Sequence, residues 1–484
     1  MTATTEPSAR RQSFLDKPIV ATLVINWELV LYALLFLLAM ASRFYDLGAR
    51  VMSHDESLHA LFSFKLYDGD GYRHDPLMHG PLQFHLVALS YLLFGDNDFS
   101  ARIPAALFGV ALVMLPYWFR PWLGRLGALV TSFGLLISPV LLYYDRYIRN
   151  ESYIALFTAM LALSLFRYMR TRRQSWLYVG AAAVSLSLST KEVAFIHGFI
   201  GVVFIAVAFA CETLPRKNLR RALTALLVVT GALFLGALFF SGFAPEDSAF
   251  NGRKLAGVLL MVAGLAAGVL TIALNTDRAG RPVSAAVKPL LNVRVAFELL
   301  TGPVLAAAAL FFLLHTTFFT NPAGFATGTW GAVSYWLKQQ EVARGGQPGY
   351  YYLLLMPLYE FLPLFLGGIG GLVYLFKKAP DHTVRAAEPP APQDPPAPSD
   401  GGTFAAYLIF WAIGSFVIYS WAGEKMPWLT VHITLPFIFL LGHVSQTVFD
   451  RFDGAVLKTR PGLLFALLLP VFGALLLVLF SARP

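Results

Sequence analysis

This sequence predicts an all-α integral membrane protein, and three observations carry the prediction. Apolar runs long enough to cross a bilayer recur almost end to end. Only 13% of the 484 residues are charged, against 57% hydrophobic. The Lys and Arg residues fall in short segments between the apolar runs. A membrane-spanning helix needs roughly 20 apolar residues, and an average soluble domain carries about one-quarter charged residues, so a soluble fold is excluded. Abundant Gly and Ala allow close helix packing. The single Cys211 forms no internal disulfide, so stability must come from packing.

The net charge of +9 does not point to nucleic acid, because the basic residues form no continuous surface. They report topology instead. The first apolar run, Ile19 to Met40, contains Asn26 and Glu28. It is too long for a signal-peptide core, lacks a small-residue cleavage site, and reads as an uncleaved first span. Further spans are expected near 103–119, 126–144, 153–169, 176–190, 193–211, 222–244, 255–274, 296–319, 351–376, 403–421, 428–449 and 462–481. The run Leu82 to Phe94 is short enough for an interfacial or re-entrant helix. Leaving it uncrossed, with Arg10, Arg11 and Lys17 cytoplasmic, puts the loops 120–125, 170–173, 216–221, 277–294, 377–403 and 451–460 on the cytoplasmic side, nearly all of them basic. Letting it cross would place all of them outside, so about thirteen spans with the N-terminus inside are expected.

Four regions follow: a cytoplasmic tail at 1–18, a transmembrane module at 19–376 with a long first external loop at 44–102, a linker at 377–402, and C-terminal transmembrane helices at 403–484. The linker contains EPPAPQDPPAPSD, too rich in Pro and acid to bury a core, and is expected to be disordered.

This topology gathers polar segments on the external face: SHDESLH (Ser53 to His59), RHDPLMHGPL (Arg73 to Leu82), YYDRYIRNES (Tyr143 to Ser152), TKE (Thr190 to Glu192), the loop Thr320 to Tyr352 and GEKMPW (Gly423 to Trp428). Adjacent Asp55 and Glu56 point different ways, so one can act on a substrate while the other holds a partner or the loop; alternatively Asp55 only caps a helix starting at Glu56. His74-Asp75-Pro76 and His79-Gly80-Pro81 shape a tight turn or bind phosphate or a metal, although no further His or Cys at diagnostic spacing completes a zinc site. Asp145, Arg146, Arg149 and Glu151 lie at helical spacing and can pair among themselves, or the arginines face an anionic headgroup. Lys191, Glu192 and Lys425 interrupt apolar surroundings, where ionisable groups are functional, paired or snorkelling.

The run from Arg43 to Arg102, with HDE, HDPLMHGPL and LLFGDNDFSAR, resembles the first external loop of GT-C superfamily membrane glycosyltransferases, of the dolichyl-phosphate-mannose protein mannosyltransferase and aminoarabinose-transferase type. DRYIRNES, STKE, RGGQPGYYYLLLMPLYE and GEKMPWL resemble a narrower group of flippase-activity-associated proteins. The resemblance implies a GT-C bundle in the cell membrane that moves a sugar from a polyprenyl-phosphate donor to a protein or lipid acceptor on the external face. Asp55 would be the catalytic base and Glu56 its neighbour in the acidic motif, here preceded by His54. His79 and Arg102 would support the loop or donor, and Arg149, Lys191 or Lys425 the departing phosphate. Asp55, Glu56, Asp145 and Glu151 could share a divalent cation such as Mg or Mn. The soluble C-terminal domains of some relatives are not seen, so acceptor recognition is expected from the loops or another protein. The alternatives are a non-catalytic binder of lipid-linked sugars associated with a flippase, and a structural partner in glycan export docking through the linker.

Overall fold

The computed structural model describes residues 26–215, 281–339, 346–376 and 400–451, with scattered positions between 216 and 280, and no strand occurs among them. The expected spans 222–244, 255–274 and 462–481, the tail 1–18 and most of the linker lie largely or wholly outside the described residues. Helix α1 covers Trp27–Phe44; Asn26 caps it, its Oδ1 accepting from Leu29 N at 2.9 Å. In the first loop, α2 covers His54–Asp68 and α3 covers Leu82–Phe94. Then come α4 (Asp98–Met114), α5 (Arg120–Ile137), α6 (Pro139–Tyr144), α7 (Glu151–Thr171), α8 (Ser175–Leu188) and α9 (Ala194–Thr213). Beyond these lie α10 (Val293–His315), α11 (Ala332–Gln339), α12 (Tyr351–Tyr359), α13 (Gly368–Phe376), α14 (Gly401–Trp421) and α15 (Thr430–Arg451).

Buried polar contacts at the helix ends fix the direction of each pass. Glu28, in the first turn of α1, accepts from Arg120 at 3.1 Å and Arg125 at 2.7 Å. Arg43, in its last turn, donates to the carbonyls of Leu135 and Leu136, each at 2.9 Å. Helices α1 and α5 therefore run parallel. Arg102 near the start of α4 donates to Leu47 O at 2.9 Å, just past the end of α1, so α4 runs the other way. Although α4 and α5 form one helical run, Asp98–Ile137, the chain reverses between them through the 3-10 turn Leu115–Phe119 and at Gly124, whose φ of +73° suits a residue without Cβ. The same reasoning alternates the later passes. Gln174, before α8, bonds Leu299 of α10, Asp400, before α14, accepts from Trp122 Nε1 at 2.8 Å, and Gln446, late in α15, holds Gly127 N at 3.0 Å.

Helix α3 does not cross, as its length predicts. Gly80 N and Leu82 N at its start donate to Thr190 O and Ser189 O, at 3.0 and 2.9 Å, in the turn between α8 and α9, and Ser90 near its end donates to Ser100 O of α4 at 2.6 Å. Both of its ends thus sit at one end of the bundle, hereafter the loop end. Among the described residues seven helices are long and apolar enough to span, or eight if the pair 351–359 and 363–374, bent by 106°, counts as one. The span expected at 176–190 is the 14-residue α8, and that at 351–376 is the bent pair. The linker expected to run to Gly402 stops earlier: Asp400, Gly401 and Gly402 are buried, and α14 has begun at Gly401.

Helices α5 and α15 pack backbone to backbone through small residues. A Cβ on Gly442 would lie 1.9 Å from Thr131 Oγ1 and 2.5 Å from Gly127 O. Such contact is the usual route to close association in a membrane, where the hydrophobic effect does not drive helices together. Gly442→Val should therefore cost about 1–3 kcal/mol or more through overpacking. Denaturant titration of the detergent-purified protein checks this against Gly198→Ala, where a new methyl meets nothing within 4 Å and should be neutral.

Candidate active site at the loop end

The site begins with the first turn of α2. Ser53 caps that helix in a capping box, its hydroxyl accepting from Glu56 N while Glu56 Oε2 accepts from Ser53 N at 3.2 Å. The cap is therefore Ser53, not Asp55. Glu56 is fully buried. It accepts from Arg102 Nε at 2.9 Å and Nη2 at 3.2 Å, from Arg50 at 2.9 Å, and from Ile148 N at 3.2 Å. The carboxylate thus fastens α2 to α4 and to the turn before α7, and Arg102, itself buried, is consumed in that task.

Asp55 precedes it by about 100° of helical rotation and faces a cavity of about 300 Å3 whose lining includes His59, His79, Arg149, Tyr335, Glu424 and Trp428. Its side chain is 36% exposed and forms an ion pair with Arg149. The Arg149 guanidinium lies 3.5 Å from the centre of the Trp428 ring, a cation–π contact that holds the fork flat. Its Nε lies 3.4 Å from Glu151 Oε2, and Glu151 also pairs with Lys191. Acid and base so alternate from Asp55 to Lys191.

Next to this cavity, His79 Nδ1 lies 2.8 Å from Glu192 Oε2. Burial pushes the Glu192 carboxyl up, but His79 and its hydrogen bond outweigh that and hold it below the usual carboxylate range. Glu192 in turn lines a second cavity of about 330 Å3 with His74, His315, Phe195, Phe311 and Trp330. The His79–Glu192 pair is therefore a wall shared by the two cavities. His74 Nδ1 contacts Thr327 Oγ1 at 2.8 Å, and burial lowers its pKa.

Of the residues singled out in the sequence, the structure brings Asp55, His79 and Arg149 onto the first cavity and His74 and Glu192 onto the second, with Glu151 and Lys191 buried and paired behind Arg149. Others have different roles. His54 is exposed at the start of α2 and lines neither cavity. Asp75 caps a 3-10 turn, accepting from Leu77 N at 2.9 Å. Arg146 donates to Ser42 O at 3.0 Å and Tyr45 O at 2.6 Å. Lys425 donates to Ala422 O at 2.8 Å, and burial lowers its pKa.

Residues 145–150 form turns and bends and not a helix, so of the pairing that helical spacing suggested among Asp145, Arg146, Arg149 and Glu151 only the Arg149–Glu151 contact is present. Asp145 instead binds Arg43 at 3.1 Å and Ser152 at 2.7 Å. The four carboxylates considered for a shared cation are likewise separated, each against its own base: Asp55 on Arg149, Glu56 on Arg102, Asp145 on Arg43 and Glu151 on Lys191. Among the described residues no three His, Cys, Asp or Glu gather as a metal site. Sequence reasoning missed His59, Tyr335, Glu424 and Trp428. His59 could have been found four residues after Asp55 on one helical face, and Glu424 and Trp428 share the hexapeptide that supplied Lys425.

Residues 78–240 match the family profile of dolichyl-phosphate-mannose-protein mannosyltransferases. The Bacillus subtilis (strain 168) protein YkcB, named as a candidate mannosyltransferase, is 27% identical over 144 residues, which is 30% of this chain and 20% of YkcB. ArnT from Cupriavidus metallidurans in its apo state superposes with a TM-score of 0.50 at 14% identity, covering 88% of this chain and 60% of ArnT. ArnT bound to undecaprenyl phosphate gives 0.48 at 16% identity over the same shares. The chain thus spans about a fifth of YkcB and three-fifths of ArnT. With its helical bundle, its loop helices and this likeness, the chain is a multi-pass membrane protein that shares the fold of ArnT and is similar, over residues 78–240, to dolichyl-phosphate-mannose-protein mannosyltransferases.

Proposed function

We propose that this protein is a glycosyltransferase that moves a sugar from a polyprenyl-phosphate donor to a hydroxyl of a protein or lipid acceptor, with Asp55 as general base, on the external face of the cell membrane. The observation that carries the reading is a half-exposed Asp55 opening on a cavity that also holds Arg149, braced flat on Trp428. A base and a planar phosphate-binding fork side by side are what transfer from a phosphate-linked sugar requires. The family description, which names a dolichyl-phosphate sugar, supports that donor class. The positive-inside pattern supports the external placement.

Asp55 and Arg149 satisfy each other as an ion pair. A donor phosphate competes for the guanidinium, and as Arg149 turns to it Asp55 is left to accept a proton. The acceptor hydroxyl then gives its proton to Asp55 while its oxygen attacks the anomeric carbon. The carbon–oxygen bond to phosphate breaks, and Arg149 stabilises the departing charge. Glu56 and Arg102 act through position: they hold the turn of α2 from which Asp55 projects.

The occupied state of Asp55 also favours a second reading, a flippase-associated binder of lipid-linked sugar in which the Asp55–Arg149 pair is structural. Asp55→Asn separates the two. Under the first reading, transfer of labelled sugar in liposomes falls about 10²- to 10⁴-fold, as for loss of a general base, with yield and melting unchanged; undiminished turnover sinks it. Glu56→Gln should destabilise by about 3–5 kcal/mol because Arg102 keeps a buried charge without its partner. The double variant Glu56→Leu/Arg102→Met should recover part of that loss in thermal unfolding. Because the Glu192 carboxyl is held low, its stabilisation is present above its ordinary value of 4.5 and is lost as pH falls through the lower folded value. The melting-temperature gap between wild type and Glu192→Gln should therefore be largest near neutrality and narrow in acid.

A further inference from the structure

His59 lies four residues beyond Asp55 on α2, so the two side chains share a helical face. Both line the 300 Å3 cavity with Arg149 and His79. The imidazole is 5% exposed and tilts against Phe84, with ring centroids 5.5 Å apart. Its Nδ1 is sealed from solvent and has no hydrogen-bond partner.

Asp55 and His79, which share its cavity, are engaged with Arg149 and Glu192. Buried polar atoms are hydrogen-bonded as a rule, and an exception calls for an explanation; here the ring lines a cavity that also holds Asp55 and Arg149. The chemistry of a partner for that ring is constrained. Burial first, and the positive Arg149 second, push the His59 pKa well below its ordinary value, so the ring is neutral. A neutral imidazole has one donor and one acceptor. A hydroxyl can meet either ring nitrogen, donating to the one that accepts or accepting from the one that donates, and the anionic part of a ligand goes to Arg149.

We propose that His59 recognises a hydroxyl of the donor sugar held between Asp55 and Arg149, and thereby selects which sugar the protein transfers. The inference rests on the glycosyl-transfer reading and adds to it the residue that discriminates. His59 contacts the sugar without taking a proton from the acceptor, so its loss acts on donor choice and KM more than on the Asp55 step.

The test uses the full chain in membrane vesicles that supply the acceptor, with polyprenyl-phosphate mannose and its monodeoxy analogues as probes and release of polyprenyl phosphate as readout. Wild type should prefer the parent donor over one analogue by roughly 10- to 100-fold in kcat/KM, the scale of one hydrogen bond left unmet. His59→Ala should use the two about equally, and His59→Gln, which keeps a donor and an acceptor, should regain part of the preference. The donor ratio within one preparation does not depend on how much protein folded. Unchanged discrimination in His59→Ala, or an equal loss toward every donor, overturns the inference while leaving the transfer reading intact. No Asp55-dependent release by wild type overturns both.

Discussion

Everything at the loop end depends on one buried carboxylate. Glu56 has no access to solvent and receives hydrogen bonds from two arginines and two backbone amides. A carboxylate buried without partners would be prohibitively unstable, so α2 can dock only where Arg102 of α4 and the amide of Ile148 meet it. That constraint sets the rotation of α2, and with it the direction in which Asp55 and His59 project. The residue that does the fastening and the residue that opens on the cavity are neighbours in the chain, and the helix turns them in different directions.

The same principle recurs along the site. Arg43 holds Asp145, Lys191 holds Glu151 and His79 holds Glu192, each pair bringing together different elements. At the boundary of an apolar bundle, charged groups persist by pairing, and each pair doubles as a clamp between helices. Arg149 differs because it is shared. It faces Asp55 and Glu151 and rests on Trp428, so a ligand phosphate can draw it from Asp55 without stranding it. The wall formed by His79 and Glu192 divides the region into a cavity with Asp55 and a more aromatic one beside α10, giving separate surroundings for groups of different polarity.

The passes of the bundle were legible because hydrophobicity adds up along the chain. A window of residues is apolar enough to cross or it is not, and the basic loops between windows give direction; α3 was left uncrossed because its length allowed it and the basic loops required it. The reach of the linker was overestimated because Asp400, polar in sequence, is buried by bonding Trp122. The site was legible as a set of segments, and Asp55, His79 and Arg149 within them, but not as a set of contacts. Helical spacing suggested that Asp145, Arg146, Arg149 and Glu151 pair with one another; the chain turns there, so Arg149 still meets Glu151 but Asp145 finds Arg43.

The sequence by itself determined that this is a helical membrane protein, where most of its passes lie, and that its acids and bases collect at one end, because each of these is a sum over neighbours in the chain. Only the tertiary structure decided which acid is buried and which opens to a cavity. Glu56 and Arg102 are 46 positions apart, Asp55 and Arg149 94, and His79 and Glu192 113. An ion pair depends on distance through space, and in this chain that distance is set by helices packing side by side long after the sequence has separated the partners.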